Sequence, residues 1–250
     1  MKIVSLSNFL TVLGNSASSK GLKLLVLRNY RGMPGEIYSR DIDVLVCPED
    51  IVKWMDLLTS ICNSLGLELK KGPRYLYCHA CFIEGLSGYP GGLEIDLEPA
   101  LNWRGVDFLD VEDVLSDSIR YKRNIWIPHP ADECVITFCS SYLHGGHIKP
   151  VYVPLMSSQA KEFKTRVQNN FALIFGKKYA VTILESLINE NFSEILNDAT
   201  KYRIGALFTG AQRSGLIFLH KFILSYWFDW TNKIWGRKGL PEVTKVAEAN

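Results

Sequence analysis

No apolar stretch of this chain approaches the ~18 uninterrupted positions that a membrane-spanning helix needs. The most apolar segment, Leu216 to Trp230, is broken by His220, Lys221 and Asp229. A spanning helix is therefore not expected. The N-terminus, MKIVSLSNFLTVLGNSASSKG, puts Asn and Ser where a secretory leader needs an unbroken apolar core. An excess of one charge is also missing: 28 basic against 26 acidic residues leave a formal +2. That balance argues against a nonspecific nucleic-acid binder, while a local basic pocket for phosphates stays compatible with it. There is no internal repeat and no low-complexity segment. The six cysteines, at 47, 62, 78, 81, 134 and 139, sit in apolar runs such as VLVC and VITFC. They read as reduced core thiols, and the expected compartment is the cytoplasm. What is present is a globular mixture, 47% hydrophobic and 22% charged over 250 residues, enough for one large domain or two modest ones.

The two halves differ in texture. Residues 1–127 mix short β-type runs with helices, and residues 128–250 read as helical, with Pro128 and Pro130 at the seam. The expected class is α+β: a mixed or antiparallel sheet with flanking helices, followed by a helical subdomain. Ser5–Ser19 opens as a helix, and LKLLVLRN (22–29) is a buried strand by its apolar run. DIDVLVC (41–47) is the next strand. Pro48-Glu49-Asp50 starts a helix that Gly66 ends. LELKK and RYLYCHACFIEG read as a hairpin around Gly72-Pro73. GGLEIDLEPAL (91–101) alternates as a strand, Asp110 caps a short helix through Ser116, and RNIWIP is a last short strand. Helices are expected over 132–143, 157–175, 178–189, 192–209 and 213–235.

The chemistry concentrates in Arg40-Asp41-Ile42-Asp43-Val44-Leu45-Val46. Alternation on a strand sends Asp41 and Asp43 to one side and Ile42, Val44 and Val46 to the other. Two carboxylates this close repel each other, which favours protonation of one of them or a shared divalent cation. Hard oxygen ligands of this kind suit magnesium. Leu93-Glu94-Ile95-Asp96-Leu97-Glu98 repeats the arrangement. If the two strands are neighbours, a third carboxylate joins the first two, and a two-metal site for phosphoryl or nucleotidyl transfer becomes reasonable.

In order, a buried strand, a Gly/Pro loop carrying Arg31 and Arg40, the Asp-x-Asp strand, a helix and an acidic strand resemble the nucleotidyltransferase superfamily typified by DNA polymerase β. The nearest likeness is to small bacterial nucleotidyltransferase-like proteins of surface-polysaccharide gene clusters. It is carried by Arg28-Asn29-Tyr30, Pro34, Asp41-Ile42-Asp43, Ile95-Asp96-Leu97, Trp103-Arg104-Gly105 and, loosely, Lys149-Pro150-Val151-Tyr152. It covers residues 20–155 well and the tail weakly. The resemblance implies that Asp41, Asp43 and Asp96 hold two magnesium ions on a nucleoside triphosphate. It implies that Asp96, rather than Glu98, faces the pair and acts as base for a small-molecule or glycan-type acceptor. Arg28, Asn29, Arg40 and Lys149 are the nucleotide-binding candidates, with Tyr152 near the nucleotide. One departure matters: most active members carry Gly-Ser where this chain has Arg28-Asn29. Arg28 then either donates to phosphate, the expected arrangement, or crosses over and neutralises Asp41 or Asp43.

Other motifs read more plainly. Cys78-His79-Ala80-Cys81 lies in an expected strand, where positions three apart face opposite ways, and it has no second pair at zinc spacing. His144-Gly145-Gly146-His147 reads as a helix end, and Arg120, Lys122 and Arg123 as a solvated strand edge. The aromatic segment 216–235 packs the helical tail or, alternatively, docks on a membrane surface or a partner with help from Lys233, Arg237 and Lys238. The alternatives to a glycan-linked transferase are an antibiotic-modifying nucleotidyltransferase of the aminoglycoside or lincosamide type, and a catalytically degenerate fold used as a binding or assembly module.

Overall fold

The computed structural model describes residues 4–37 and 39–235; Arg237 and Lys238 lie outside them. In chain order the elements are α1 (Leu6–Ser19), β1 (Leu24–Val26), β2 (Asp41–Leu45), α2 (Ile51–Leu65), β3 (Glu68–Arg74), β4 (His79–Glu84), β5 (Leu93–Glu98), β6 (Asn102–Trp103) and β7 (Val106–Asp107). Then follow α3 (Val111–Ser116), β8 (Ile119–Lys122), β9 (Ile125–Ile127), α4 (Pro130–Cys139), α5 (Val153–Glu162), α6 (Lys164–Phe175), α7 (Lys177–Ile188), α8 (Ser193–Asn197) and α9 (Ala199–Trp235). Seven strands form one sheet in the order β3-β4-β5-β2-β1-β9-β8, and β6 and β7 make a separate hairpin. The sheet is mixed: β2 runs parallel to β5 and β1 parallel to β9, while the other neighbours are antiparallel.

Local signals start and stop the elements as physical chemistry requires. Ser5 caps α1, its hydroxyl accepting from the Asn8 N–H at 3.2 Å. Asp110 caps α3 by accepting from the N–H groups of Glu112 and Asp113. Gly66 ends α2 in the left-handed conformation, at φ 69°.

The two faces of the sheet are filled differently. Ile42, Val44 and Val46 of the β2 segment join Leu93, Ile95 and Leu97 of β5 in one apolar layer with Phe9, Leu10 and Leu13 of α1 and Trp54, Leu57, Leu58 and Ile61 of α2. On the opposite face Leu25, Leu27 and Leu45 pack into a second layer with α4–α7, through Val135, Phe138, Phe171 and Ile183 among others. That layer draws residues from both sides of the Pro128–Pro130 seam. Among the described residues, those after Ile127 form helices and turns and no strand.

Several expectations are corrected. Gly72 and Pro73 lie inside β3, and the turn to β4 falls at Tyr75–Cys78. β3 is the sheet edge, where a proline without an N–H costs no ladder bond, and the register shift between Lys71 and Arg74 absorbs it. The strand expected over 22–29 is ordered as β only at Leu24–Val26. Helix 157–175 begins earlier, at Val153, and divides at Phe163 into α5 and α6. The helix expected over 132–143 ends at Cys139 and continues as a π-helical turn over Ser140–His144. In α9 the helical path breaks at Gly215, whose φ of 49° with ψ −118° is open to glycine. The basic run behaves as expected: β8 is an edge strand, and Arg120 donates to the Asn124 side chain at 3.1 Å.

Candidate active site

Parallel pairing of β2 with β5 sets Asp41 opposite Glu94, Asp43 opposite Asp96 and Leu45 opposite Glu98. Because both strands bury their other face, all five acids project to the side of α4–α7. Asp41, Asp43 and Asp96 each bring a carboxylate oxygen to within 4.8 Å of the others. The same-side expectation for Asp41 and Asp43, and the approach of Asp96, are thus seen directly.

Glu98 is the acid that sequence reasoning set aside, and it too lines the cleft. Burial first, then the Asp43 carboxylate, hold its carboxyl well above the ordinary range, with Arg28 opposing. Its signal was the same alternation that marked Asp96. Burial and the neighbouring Glu94 and Asp43 push Asp96 up to about 7. Asp41 is raised by burial and by Asp43, and Glu94 by burial and by Asp41. Burial and mutual repulsion both favour the neutral form of a carboxyl, and here they act together.

Arg28 bonds the cluster: its Nε donates to Asp43 Oδ2 at 2.5 Å. Asp43 is 3% exposed. Burial alone would lower the Arg28 pKa; the Asp43 carboxylate outweighs it and raises it. The expectation that Arg28 would leave both acids uncompensated therefore fails at Asp43. The guanidinium is close enough to neutralise the nearest buried charge. Asp96 Oδ1, by contrast, is buried and has no hydrogen-bond partner among the described residues.

Asn29 follows at φ 59°, supplying the left-handed turn that glycine gives elsewhere, and its Oδ1 accepts from the Tyr152 hydroxyl at 3.2 Å. Tyr30 anchors this loop: its hydroxyl donates to Glu133 Oε2 at 3.0 Å, and Gln159 Nε2 donates to the same oxygen at 2.7 Å. Lys149 lines the cleft, its Nζ 6.0 Å from the Tyr152 ring centroid. Arg40 is exposed, its carbonyl accepts from the Glu94 N–H at 3.2 Å, and it does not line the cleft.

The cleft has a volume of about 450 Å³, with the acids and Arg28 on its floor. One wall comes from the π-helical turn and the loop after it: Ser140, Ser141, His144, His147 and Lys149. An extra residue in a helical turn re-aims side chains, and no local sequence signal announces it. His144 Nε2 donates to the Asn102 carbonyl at 3.1 Å, and Tyr77 and Phe108 flank its ring. Burial first, then the positive fields of Arg28 and Arg104, lower its pKa to about 4, so the ring is neutral at pH 7. The zinc reading of Cys78 and Cys81 does not fit. Cys81 faces the α2 layer, its Sγ 3.5 Å from Met55 Sδ, while Cys78 lies beside Asp96.

The donor set fits a hard divalent cation: carboxylate oxygens alone, converging, with one buried oxygen unpartnered. Comparison with protein-family models, with curated proteins and with solved structures finds no match.

Proposed function

We propose that the chain is a magnesium-dependent nucleotidyltransferase of the polymerase β-like kind, acting in the cytoplasm. It moves a nucleoside monophosphate from a triphosphate to a small-molecule or glycan-type acceptor. One observation carries the reading: Asp41, Asp43 and Asp96 converge within 4.8 Å on the floor of a cleft, and Asp96 keeps an unpartnered buried oxygen. The three acids would hold magnesium, which when bound supplies positive charge for the entering and leaving oxygens. Lys149, and the terminal guanidinium nitrogens that Arg28 does not commit to Asp43, donate to phosphate oxygens on the β1 side of the cleft. Asp96, on β5, takes the proton of the acceptor. The acceptor oxygen bonds to the α-phosphorus, the bond to the bridging oxygen breaks, and pyrophosphate leaves. The neutral His144 and the Asn102 region hold the opposite wall.

The Arg28–Asp43 pair favours a second reading, a degenerate fold in which the guanidinium stands in for a cation and the cleft only binds. Titration calorimetry of the four Mg-NTPs into wild type and Arg28→Ala separates the two. Weaker Mg-NTP binding in the variant supports transfer; unchanged or tighter magnesium binding supports the module. No binding of any Mg-NTP to wild type rejects both as nucleotide sites. A peripheral or partner contact through α9 belongs to the same proposal. Leu216, Ile223, Trp227 and Trp230 are each more than half exposed there, and no helix among the described residues is long and apolar enough to cross a membrane.

A further inference from the structure

A second cavity, of about 270 Å³, opens beside the acidic cleft, and the two share Tyr77 and His144 in their walls. Its remaining walls come from three places distant in sequence. Tyr75 stands at the β3–β4 turn, Trp103 and Arg104 at the β6–β7 turn, and Ser225 and Asp229 on α9.

These walls are held firmly. Arg104 sits at φ 50°, a left-handed conformation that a side chain of this kind rarely adopts. Its Nη1 reaches Asp229 Oδ2 at 2.6 Å, and its guanidinium lies 4.2 Å from the Tyr226 ring centroid. At the next residue, Gly105, an added Cβ would come within 2.8 Å of the Phe218 carbonyl, so the turn is pressed onto α9. The Tyr75 and Tyr77 rings stack with centroids 5.6 Å apart and planes 17° from parallel. Tyr77 in turn meets His144 edge-on at 4.7 Å.

Sheet order places this cavity relative to the chemistry. Across the sheet the sequence is β3-β4-β5-β2-β1. Arg28 follows β1 and bonds Asp43 of β2, Asp96 lies on β5, and Tyr75 and Tyr77 lie between β3 and β4. The second cavity is therefore on the Asp96 side of the acids, away from Arg28. Its lining is also different in kind. Asp229 is its carboxylate and is already paired with Arg104, so the walls are close to neutral and offer nothing to draw a polyphosphate. They offer aromatic surfaces, a carboxylate acceptor, a guanidinium donor and hydroxyls that do both. That set matches a neutral ring carrying many hydroxyls, with one face less polar than its edge.

Resting on the transferase reading above, we propose that this second cavity is the acceptor subsite and takes a polyhydroxylated ring, a pyranose or cyclitol, presenting a hydroxyl toward Asp96. Tyr75 and Tyr77 supply the platform, and Arg104 with Asp229 the hydrogen bonds. The size of the cavity suits one ring and not a chain of them.

The test is saturation-transfer NMR and calorimetric titration of the full chain, without nucleotide, with four probes: methyl α-D-glucopyranoside, methyl α-D-galactopyranoside, N-acetylglucosamine and myo-inositol. At least one probe should bind wild type, and Tyr75→Ala and Asp229→Asn should each weaken it tenfold or more. Tyr75→Phe, which keeps the ring, should stay within about twofold. Circular dichroism confirms that each variant is folded, and Ser225→Ala serves in place of Asp229→Asn if that variant is not. Failure of all four probes, or binding indifferent to the Tyr75 and Asp229 changes, overturns the subsite. So does uridine or adenosine binding that Tyr75→Ala weakens while no probe binds, which would make the cavity a base pocket. The same samples are titrated with Mg-NTP. Nucleotide binding without probe binding removes the subsite and leaves the transferase reading. Probe binding without nucleotide binding supports the ring site and removes the transfer assigned beside it.

Discussion

Ile95 and Asp96 are neighbours on one strand and belong to opposite worlds. Ile95 is 1% exposed in the layer shared with α1 and α2, where β1, β2, β4, β5 and β9 contribute aliphatic side chains and nothing is asked but close packing. Asp96 faces the other way, among Asp41, Asp43, Glu94 and Glu98, with a buried oxygen that no described residue satisfies. One face of the sheet holds the fold together; the other spends part of that stability on gathered charge. On the second face the change of character is local. Leu25, Leu27 and Leu45 are as dry as anything on the first, and the acids stand beside them on β2 and β5.

The contrast has measurable consequences. Ile95→Ala removes buried methyl groups and should lower unfolding free energy by about 2–5 kcal/mol in urea titrations. Asp96→Asn should leave metal-free stability equal or higher, because it removes a carboxyl whose charged form burial and its acidic neighbours disfavour, and on the transferase reading it should lower transfer roughly 10²–10⁴-fold. Comparable loss of stability in both variants would erase the distinction between the faces.

Arg28→Ala tests the Arg28–Asp43 pair on the acidic face. It leaves the Asp43 carboxylate buried without its cation and should cost about 1–3 kcal/mol, a loss that the double variant Arg28→Ala/Asp43→Asn largely restores. Additive losses in that cycle would mean that the pair is incidental.

A pH series sharpens the same point. Asp96 folded titrates near 7, above its unfolded value of about 3.9. Between those values the folded chain holds a proton that the unfolded chain has released, so metal-free stability falls as pH rises through that window and levels off above it. His144, held near 4 in the folded chain, pulls the other way below its unfolded value of about 6.5, so the Asp96 contribution is read as a difference: in chelator the melting temperature of wild type should fall by on the order of 5 °C relative to Asp96→Asn from pH 5 to pH 8. Magnesium should offset the wild-type loss at pH 8. A difference between wild type and Asp96→Asn that stays constant over this interval would contradict the crowding of the acids.

The smallest effect is expected far from both faces. Trp227 is 57% exposed on α9, and Trp227→Ser should shift stability by no more than about 0.5 kcal/mol. A larger loss would mean that the apolar stripe of α9 is covered in solution.

How far the sequence carries depends on the range of the forces involved. The alternation in Asp41–Val46 and Leu93–Glu98 is written in adjacent residues, so both strands and their acidic sides were legible, as were the caps at Ser5, Asp110 and Gly66. Parallel pairing of β2 with β5 was open until the strands were seen side by side, because register is set by partners about fifty positions apart. The same gap explains Glu98. Its face was readable, but its closeness to Asp43 and Arg28 depends on where Leu45 meets it. Gly72-Pro73 looked like a turn because that pair usually is one; an edge position made it tolerable inside β3. The π-helical turn that brings Ser140, Ser141 and His144 into the cleft has no sequence signature, and the second cavity joins three turns and helices that only tertiary folding brings together.

The pairing of Asp43 with Asp96 also bears on how the chain finds its native arrangement. Side chains on a strand alternate with a period of two, so a slip of β5 by one residue against β2 would turn Leu93, Ile95 and Leu97 toward the cleft and drive Glu94, Asp96 and Glu98 into the layer beneath α1 and α2. Three carboxylates in that layer would be prohibitive. The acidic row thus acts as a ratchet on assembly: whatever chemistry it performs, it rejects the misaligned sheet, and a variant that replaced all three acids with leucine would lose its safeguard against misfolding along with its cleft.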